Sequence, residues 1–212
     1  MERTPTVRES GLWTMTNVFY RGNYSTFQIY ENLTDRMNAQ QMSDEYNKQK
    51  PLGNPYPANS LIIFSIADVA QKSKNKTLIN FLHDSFRYKF PHAFSEIVYY
   101  PSGHGRVIHN FGTQDEFYLN GKNLIGHDDW IENLENYDIL RLVSGTKNIE
   151  DLNKRSQSIN QTPTYLWRDS KPSQKTKRVV RFGACGGRLV LGADGGLSVE
   201  SPAFLGLVVW LA

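Results

Sequence analysis

The chain has 212 residues, of which 39% are hydrophobic and 21% charged, with a formal net charge of +3. This length suits one domain with one hydrophobic core, and the composition is that of a globular protein and not of a disordered one. The net charge is too small to indicate a class of partner by itself. Cys185 is the only cysteine, so an intramolecular disulfide is excluded.

The sequence shows no sign of targeting. No basic, apolar and small-residue succession of the secretory type occurs near the N-terminus. The longest apolar runs, 61–66 and 203–212, are shorter than a bilayer-spanning helix requires. We therefore expect a soluble protein of one domain, 1–212. Its location is not indicated by the sequence, and both the cytoplasm and the cell surface are compatible with it.

The first elements read as a strand and a helix. Apolar and polar residues alternate over 11–20, which predicts a strand that ends in a turn at 22–23. Near-helical spacing predicts a helix from Ser25 or Thr26 to about residue 48. The apolar residues of this spacing are Phe27, Ile29, Leu33 and Met37. Three prolines in 51–57 then predict a loop.

The middle of the chain changes from helical to strand patterns. The segments 61–70 and 77–86 are predicted helices that face a core. Strands are predicted over 96–100, 106–111 and 116–119, and Asn120-Gly121 is typical of a tight turn.

The second half adds two helices and the last strands. Helices are predicted over 129–142 and 148–158, and a strand over 165–167. The almost continuous apolar run at 205–211 predicts a closing strand that is buried on both faces.

The segment 178–212 contains two interleaved sets of residues. A framework of apolar residues and arginines comprises Arg181, Phe182, Ala184, Arg188, Leu189, Leu191 and Ala193. The interrupting positions are Gly183, Cys185, Gly186, Gly187, Val190, Gly192, Asp194, Gly195, Gly196, Leu197, Val199 and Ser201. Half of them are glycine, which lowers strand stability and contributes no side chain to packing. Folding stability alone does not explain this pattern.

Codon chemistry explains the interrupting positions. Suppose that the codons at these positions were originally AAC or AAT and that any base could replace each adenine. All products then have codons that end in C or T, so Lys, Gln, Glu, Met and Trp could not arise. None of these residue types occupies an interrupting position. This restriction is typical of adenine-directed mutagenesis, and Glu200, which lies outside the allowed set, belongs to the framework.

The framework reads Arg-Val-Val-Arg-Phe-x-Ala-x-x-x-Arg-Leu-x-Leu-x-Ala, followed by Ser-x-Glu-x-Pro-Ala-Phe. It resembles the variable proteins of diversity-generating retroelements, most of all those of Nanoarchaeota-like archaea, although 205–210 is more apolar than is typical of them. The resemblance implies an α+β, C-type-lectin-like fold with mixed short β-sheets and flanking helices. It also implies a non-enzymatic, receptor-like or adhesin-like protein that binds a macromolecular or cell-surface ligand through a diversified region at about 178–204.

The resemblance assigns opposite faces to the two sets. The apolar framework residues should be buried or semi-buried, namely Phe182, Ala184, Leu189, Leu191 and Ala193, and the positions between them should point outward to the ligand. Strand alternation then places Leu189, Leu191 and Ala193 on one face. This interpretation requires solvent beside Gly183, Val190, Gly192 and Asp194. Because glycines occupy places where large anchors could stand, we expect a weak binder, or one that depends on Arg181 and Arg188.

Two other functions stay open on the sequence. A relative of formylglycine-generating enzymes would need reactive thiols, and Cys185 stands alone. A nucleic-acid-binding module could use the basic cluster at 171–181, although no aromatic residue is interleaved there. We expect no nucleic-acid partner and no membrane insertion.

No metal or other cofactor is expected. The five histidines do not have the spacing of metal ligands. Asp194 and Glu200 are too few for a calcium site. The acidic residues near 128–135 suit a helix N-terminus on dipole grounds.

Overall fold

The computed structural model describes residues 5–9, 11–122, 124–126, 128–133, 138–146, 148–169, 172–185 and 188–210. The strands are β1 (Thr6–Glu9), β2 (Leu12–Tyr20), β3 (Asn23–Leu33), β4 (Tyr56–Pro57), β5 (His92–Tyr99), β6 (Gly105–His109), β7 (Phe117–Gly121), β8 (Asp129–Trp130), β9 (Thr164–Arg168), β10 (Thr176–Cys185), β11 (Arg188–Gly195) and β12 (Phe204–Trp210). The α-helices are α1 (Ala39–Gln49), α2 (Ser60–Ser73), α3 (Lys76–Tyr88), α4 (Asp138–Ser144) and α5 (Ile149–Asn160).

The strands form two sheets. One has the order β1-β2-β3-β12-β4, and the other has the order β7-β6-β5-β10-β11-β9-β8. All pairings between these strands are antiparallel except that of β11 with β9, which is parallel. The predicted mixed α+β class is therefore confirmed.

Asparagine side chains begin the main helices. Asn59, Asn75 and Asn148 precede α2, α3 and α5, and each side chain accepts a hydrogen bond from the backbone N–H three residues later. These bonds satisfy donors that the first helical turn leaves unpaired. The predicted helices at 61–70, 77–86 and 148–158 are confirmed with slightly longer bounds.

Helix α3 joins the two sheets through aromatic contacts. The ring of Phe81 lies 4.5 Å from that of Trp13 on β2, in the first sheet. The ring of Phe86 stacks on Phe182 of β10, in the second sheet, at 5.3 Å. Phe64 of α2 meets the same Phe182 ring edge-on at 5.3 Å. One hydrophobic core therefore contains residues of both sheets and of the helices between them.

The prediction of a helix over 26–48 is wrong in its first half. Residues Asn23–Leu33 form β3, which pairs with β2 on one side and β12 on the other, and only Ala39–Gln49 is helical. Ser25, Phe27 and Ile29 are buried at alternate positions. Their period of two fits a strand between two neighbours, which satisfies the backbone on both edges.

Three predictions in the second half also need correction. The segment 129–142 is not one helix, because Asp129–Trp130 pairs with β9 and the α-helix begins at Asp138. The predicted turn at Asn120-Gly121 is the end of β7, paired with β6. In the closing strand, Leu205, Leu207 and Val208 are only half-buried, so the prediction of a strand buried on both faces is wrong.

Among the described residues, none of the helices combines the length and the apolar composition that crossing a bilayer requires.

Candidate functional site

The C-terminal pattern lies in the middle of the seven-stranded sheet. In one row across three strands, Arg181 of β10 pairs with Gly192 of β11, and Gly192 pairs with Trp167 of β9. The next row repeats this arrangement two residues further along each strand, so both rows belong to the same face. We call it the outer face. Its residues are Trp130, Tyr165, Trp167, Arg181, Gly183, Arg188, Val190 and Gly192.

The opposite face of β10 and β11 belongs to the hydrophobic core. Phe182, Ala184, Leu189 and Leu191 are all at most 8% exposed. The prediction that these framework residues are buried is confirmed. The side chain of Ala193 lies outside the described part of the structure.

The predicted exposure of the interrupting positions on β10 and β11 is wrong for Gly183, Val190 and Gly192. Gly183, Val190 and Gly192 are buried, and Val190 is only 4% exposed. The side chain of Asp194 lies outside the described part. Strand alternation thus places Gly183, Val190 and Gly192 opposite the apolar framework residues and on the same face as Arg181 and Arg188, but these three small residues do not border solvent directly.

Larger neighbours cover these small residues. A Cβ atom built on Gly183 would lie only 2.5 Å from Cδ1 of Phe90. Phe90 is 40% exposed and has a φ of 49°, which is rare for an aromatic residue. A cavity of about 210 Å³ lies here, with Phe90, Trp167, Arg181 and Val190 among its walls. Gly183 therefore lies at the bottom of this cavity, beneath a layer of large side chains.

Arginine and aromatic side chains form that layer. The Cζ atom of Arg188 lies 4.2 Å from the ring centroid of Tyr165 and 6.0 Å from that of Trp130. The rings of Trp130 and Tyr165 meet edge-on at 5.3 Å. In the neighbouring row, Cζ of Arg181 lies 5.8 Å from the ring of Trp167. These distances are those of cation–π contacts, which hold the guanidinium groups in place.

The charge of Arg188 is not neutralised within the described structure, where it makes no ion pair with any side chain. Its guanidinium is half-buried against two rings and has fork-shaped donors that match a carboxylate or a pair of carbonyl oxygens. The outer face can therefore bind an acidic or carbonyl-rich surface.

His92 is a buried polar side chain next to the outer face. It lies opposite Arg181 in the pairing of β5 with β10. Neither of its ring nitrogens has a hydrogen-bond partner among the described residues, and its side chain is fully buried. Burial, with a smaller contribution from the charge of Arg181, lowers the pKa of His92 to about 4.

The remaining predicted ligand positions do not all join the outer face. Leu197 and Ser201 lie beside the start of α1, where the Leu197 carbonyl accepts a hydrogen bond from Ala39 N–H and Ser201 is paired with Met37. Val199 is 44% exposed. Gly196 is half-buried. Gly186 and Gly187 lie outside the described residues, and Cys185, Asp194 and Gly195 are described only as backbone in β10 and β11.

The sequence interpretation missed the aromatic half of the outer face. Tyr165 and Trp167 are two residues apart in a predicted strand, and this spacing alone would have placed them on one face. Trp130 was assigned to a helix, and Phe90 carries no sequence signal because its position over Gly183 depends on an unusual backbone conformation.

A serine and a histidine meet in the core, in a contact that superficially suits catalysis. Oγ of Ser95 lies 2.8 Å from Nδ1 of His109, and Nε2 of His109 lies 3.0 Å from the carbonyl oxygen of Leu142. Both side chains are fully buried, and burial lowers the pKa of His109 to about 4. Because a nucleophile needs access to its substrate, this contact serves the core.

Among the described residues, no group of three or more His, Cys, Asp or Glu side chains is arranged to hold a metal ion. Comparison with protein-family models, with curated protein sequences and with solved structures gives no match for this chain.

The contact between Gly183 and Phe90 predicts coupling between these positions. Gly183→Ala should lower the free energy of unfolding by about 1–2 kcal/mol, because the new methyl group requires the Phe90 ring to move. In a Phe90→Gly background the same change should cost less than about 0.5 kcal/mol, since the obstructing ring is gone. Denaturant unfolding of the four proteins measures the coupling. Equal costs in both backgrounds would contradict the account.

His92 predicts a loss of stability in acid. Its pKa lies near 4 in the folded protein and near 6.5 when unfolded, so only the unfolded chain takes up the proton between these values. The contribution of His92 to the free energy of unfolding is complete above about pH 6.5. It falls by about 3 kcal/mol as the pH approaches 4. In urea unfolding between pH 7.5 and 4.5, the free energy of unfolding of His92→Leu should therefore fall by about this much less than that of the wild type. The same substitution at the exposed His104 is the control, and an unchanged slope in His92→Leu would refute the assignment.

Proposed function

We propose that this protein is a non-enzymatic binding protein whose outer face contacts a macromolecular or cell-surface ligand. The observation that carries the proposal is the stacking of Arg188 on Tyr165 at 4.2 Å, next to Trp130 and in the same sheet face as the Arg181–Trp167 pair. Trp, Tyr and Arg are the residues that most often dominate the binding energy of protein interfaces.

Preorganisation favours this use of the arginines. Each guanidinium rests on an aromatic ring and is carried by a strand in the interior of the sheet. A ligand that binds them therefore causes little additional loss of side-chain entropy. The half-buried rings give the face an apolar component as well, so a protein surface with acidic groups among apolar ones is its best complement.

On this proposal the segment at about 178–204 is a variable region generated by adenine-directed mutagenesis and carried by a C-type-lectin-type domain. In support, Gly183, Val190 and Gly192 share one face with both arginines. Because these residues are buried, substitutions at them would change the ligand-binding surface indirectly. A larger residue at Gly183 would displace the Phe90 side chain and so change the shape of the surface above it. A reverse-transcriptase gene and a near-identical template repeat, with adenines at the varied codons, are expected next to the gene.

A second candidate is binding of single-stranded nucleic acid. The basic cluster at 171–181 lacks aromatic residues in sequence, but the fold supplies them: Lys175 Nζ lies 5.8 Å from the ring centroid of Tyr100. Basic groups beside aromatic rings are what stacked bases require. This function predicts binding to an oligothymidylate strand that weakens steeply and linearly with the logarithm of salt concentration.

An array of purified cell-surface proteins and glycans, together with oligothymidylate, tests both candidates. Arg188→Gln should weaken binding to the protein or glycan ligand about tenfold, because the partner group loses a charge-assisted contact. Lys154→Gln makes the same charge change at an exposed site on α5 and should have no effect. A ligand that binds equally to wild type and Arg188→Gln, or binding to oligothymidylate alone, would overturn the main proposal.

A further inference from the structure

A wide cleft lies far from the C-terminal pattern in sequence. It has a volume of about 710 Å³ and lies between the β2–β3 hairpin, helix α2 and the residues that follow α4. Cavities of this size bind small organic molecules. No outer-face residue lines it, so its function is independent of the one proposed above.

The lining of this cleft is strongly cationic. Its cations are Arg21, Lys72, Arg141 and Arg155, and Asp68 is the single carboxylate among the described lining residues. Lys72 Nζ lies 3.0 Å and Arg155 Nη2 3.1 Å from the carboxylate oxygens of Asp68. Asp68 thus pairs with two of the cations, and Arg141 Nε lies 3.8 Å from a carboxylate oxygen of Asp138, outside the lining. The lining still holds more cations than carboxylates, and positive charge in a concave site attracts anions.

Arg155 provides a second sign of an anion site. Its side chain is only 15% exposed, and its buried Nε has no hydrogen-bond partner among the described residues. Nη2 of this guanidinium contacts Asp68, which also lines the cleft. Guanidinium forks fit the oxygens of phosphate, so Arg155 is a cation that a ligand oxyanion in the cleft can bind beside Asp68.

The β2–β3 hairpin places Arg21 at the mouth of the cleft. Arg21 and Gly22 have φ values of 49° and 86°, which suit a two-residue hairpin turn between Tyr20 and Asn23. Asn17, with a φ of 55°, lies where the register of β2 with β3 shifts between Met15 and Val18. Here the conformation brings the Arg21 guanidinium to 3.8 Å from the Phe117 ring centroid, at the wall of the cleft.

An aromatic wall accompanies the cations. Phe19 is 61% exposed, and its ring meets that of Tyr24 at 5.5 Å; both residues line the cleft. An exposed large aromatic side chain beside a cationic site suits a ligand that is flat and apolar at one end and anionic at the other.

We propose that this cleft binds a small organic phosphate that carries an aromatic ring, of the nucleoside monophosphate class. The phosphate group lies among Lys72, Arg155 and Arg21, and the ring packs against Phe19 and Tyr24. The shape and charge of the cleft select for both parts together, so neither the phosphate nor the ring alone binds as well.

Calorimetric titration with adenosine 5′-monophosphate, inorganic phosphate and adenosine tests the proposal on the full chain. We expect the nucleotide to bind more tightly than phosphate, and adenosine to show no saturable binding. Absence of saturation by the nucleotide at millimolar concentration would overturn the proposal, and so would equal binding of adenosine.

Two variants locate the site. Arg21→Asn removes a cation and places there a residue that tolerates positive φ, so the hairpin should keep its fold. Lys72→Gln removes a cation from α2. Each should weaken nucleotide binding about tenfold, as expected for a lost charge-assisted contact, while Lys154→Gln should leave it unchanged. Wild-type affinity in both cleft variants would refute the assignment.

A final experiment distinguishes a free organic phosphate from the phosphate of a lipid headgroup as the ligand. Sedimentation with vesicles that contain phosphatidic acid should show no binding that depends on Arg21 and Lys72. If these two variants reduced vesicle binding but not nucleotide binding, the small-molecule proposal would be wrong.

Discussion

The packing of Phe182 between Phe64 and Phe86 is the contact on which the rest of the structure depends. The Phe182 ring is 5.3 Å from each of the other two, which come from α2 and α3. It fixes β10 against the helices, and β10 in turn pairs with β5 and β11. Because side chains alternate along a strand, securing Phe182 inward also sets the direction in which Arg181 and Gly183 point. The core thereby determines the geometry of the outer face.

The outer face combines arginine side chains held against aromatic rings with small residues at which substitution is possible. Arg181 and Arg188 rest on aromatic rings, whereas Gly183 lies under Phe90, whose side chain is 40% exposed. A larger residue at Gly183 must displace this ring and so changes the surface above it. Burial of the small positions thus changes the interpretation made from the sequence, because a ligand of the proposed kind would contact the arginine and aromatic layer and not the glycines themselves.

The sequence predicted those parts of the fold in which local signals agree with tertiary context. Helices α2 and α3 have apolar periodicity and an asparagine cap, and both were predicted. The four-residue spacing of Ile29, Leu33 and Met37 is compatible with either period, and the pairing of β3 with β2 and β12 decides for a strand over Asn23–Leu33. At the candidate site the framework residues were predictable from alternation. The cover over Gly183 was not, because it comes from Phe90, whose distance in sequence and positive φ no local pattern indicates.

Mutational tolerance at the two faces tests the central claim most directly. A library in which Gly183, Val190 and Gly192 vary on one side of the sheet, and Phe182, Leu189 and Leu191 on the other, can be displayed on cells and selected for resistance to protease. The account predicts that replacements at the outer positions lower stability because the covering side chains must move, yet leave most variants folded, whereas polar replacements at the inner positions unfold the protein. Equal intolerance on both faces would contradict it.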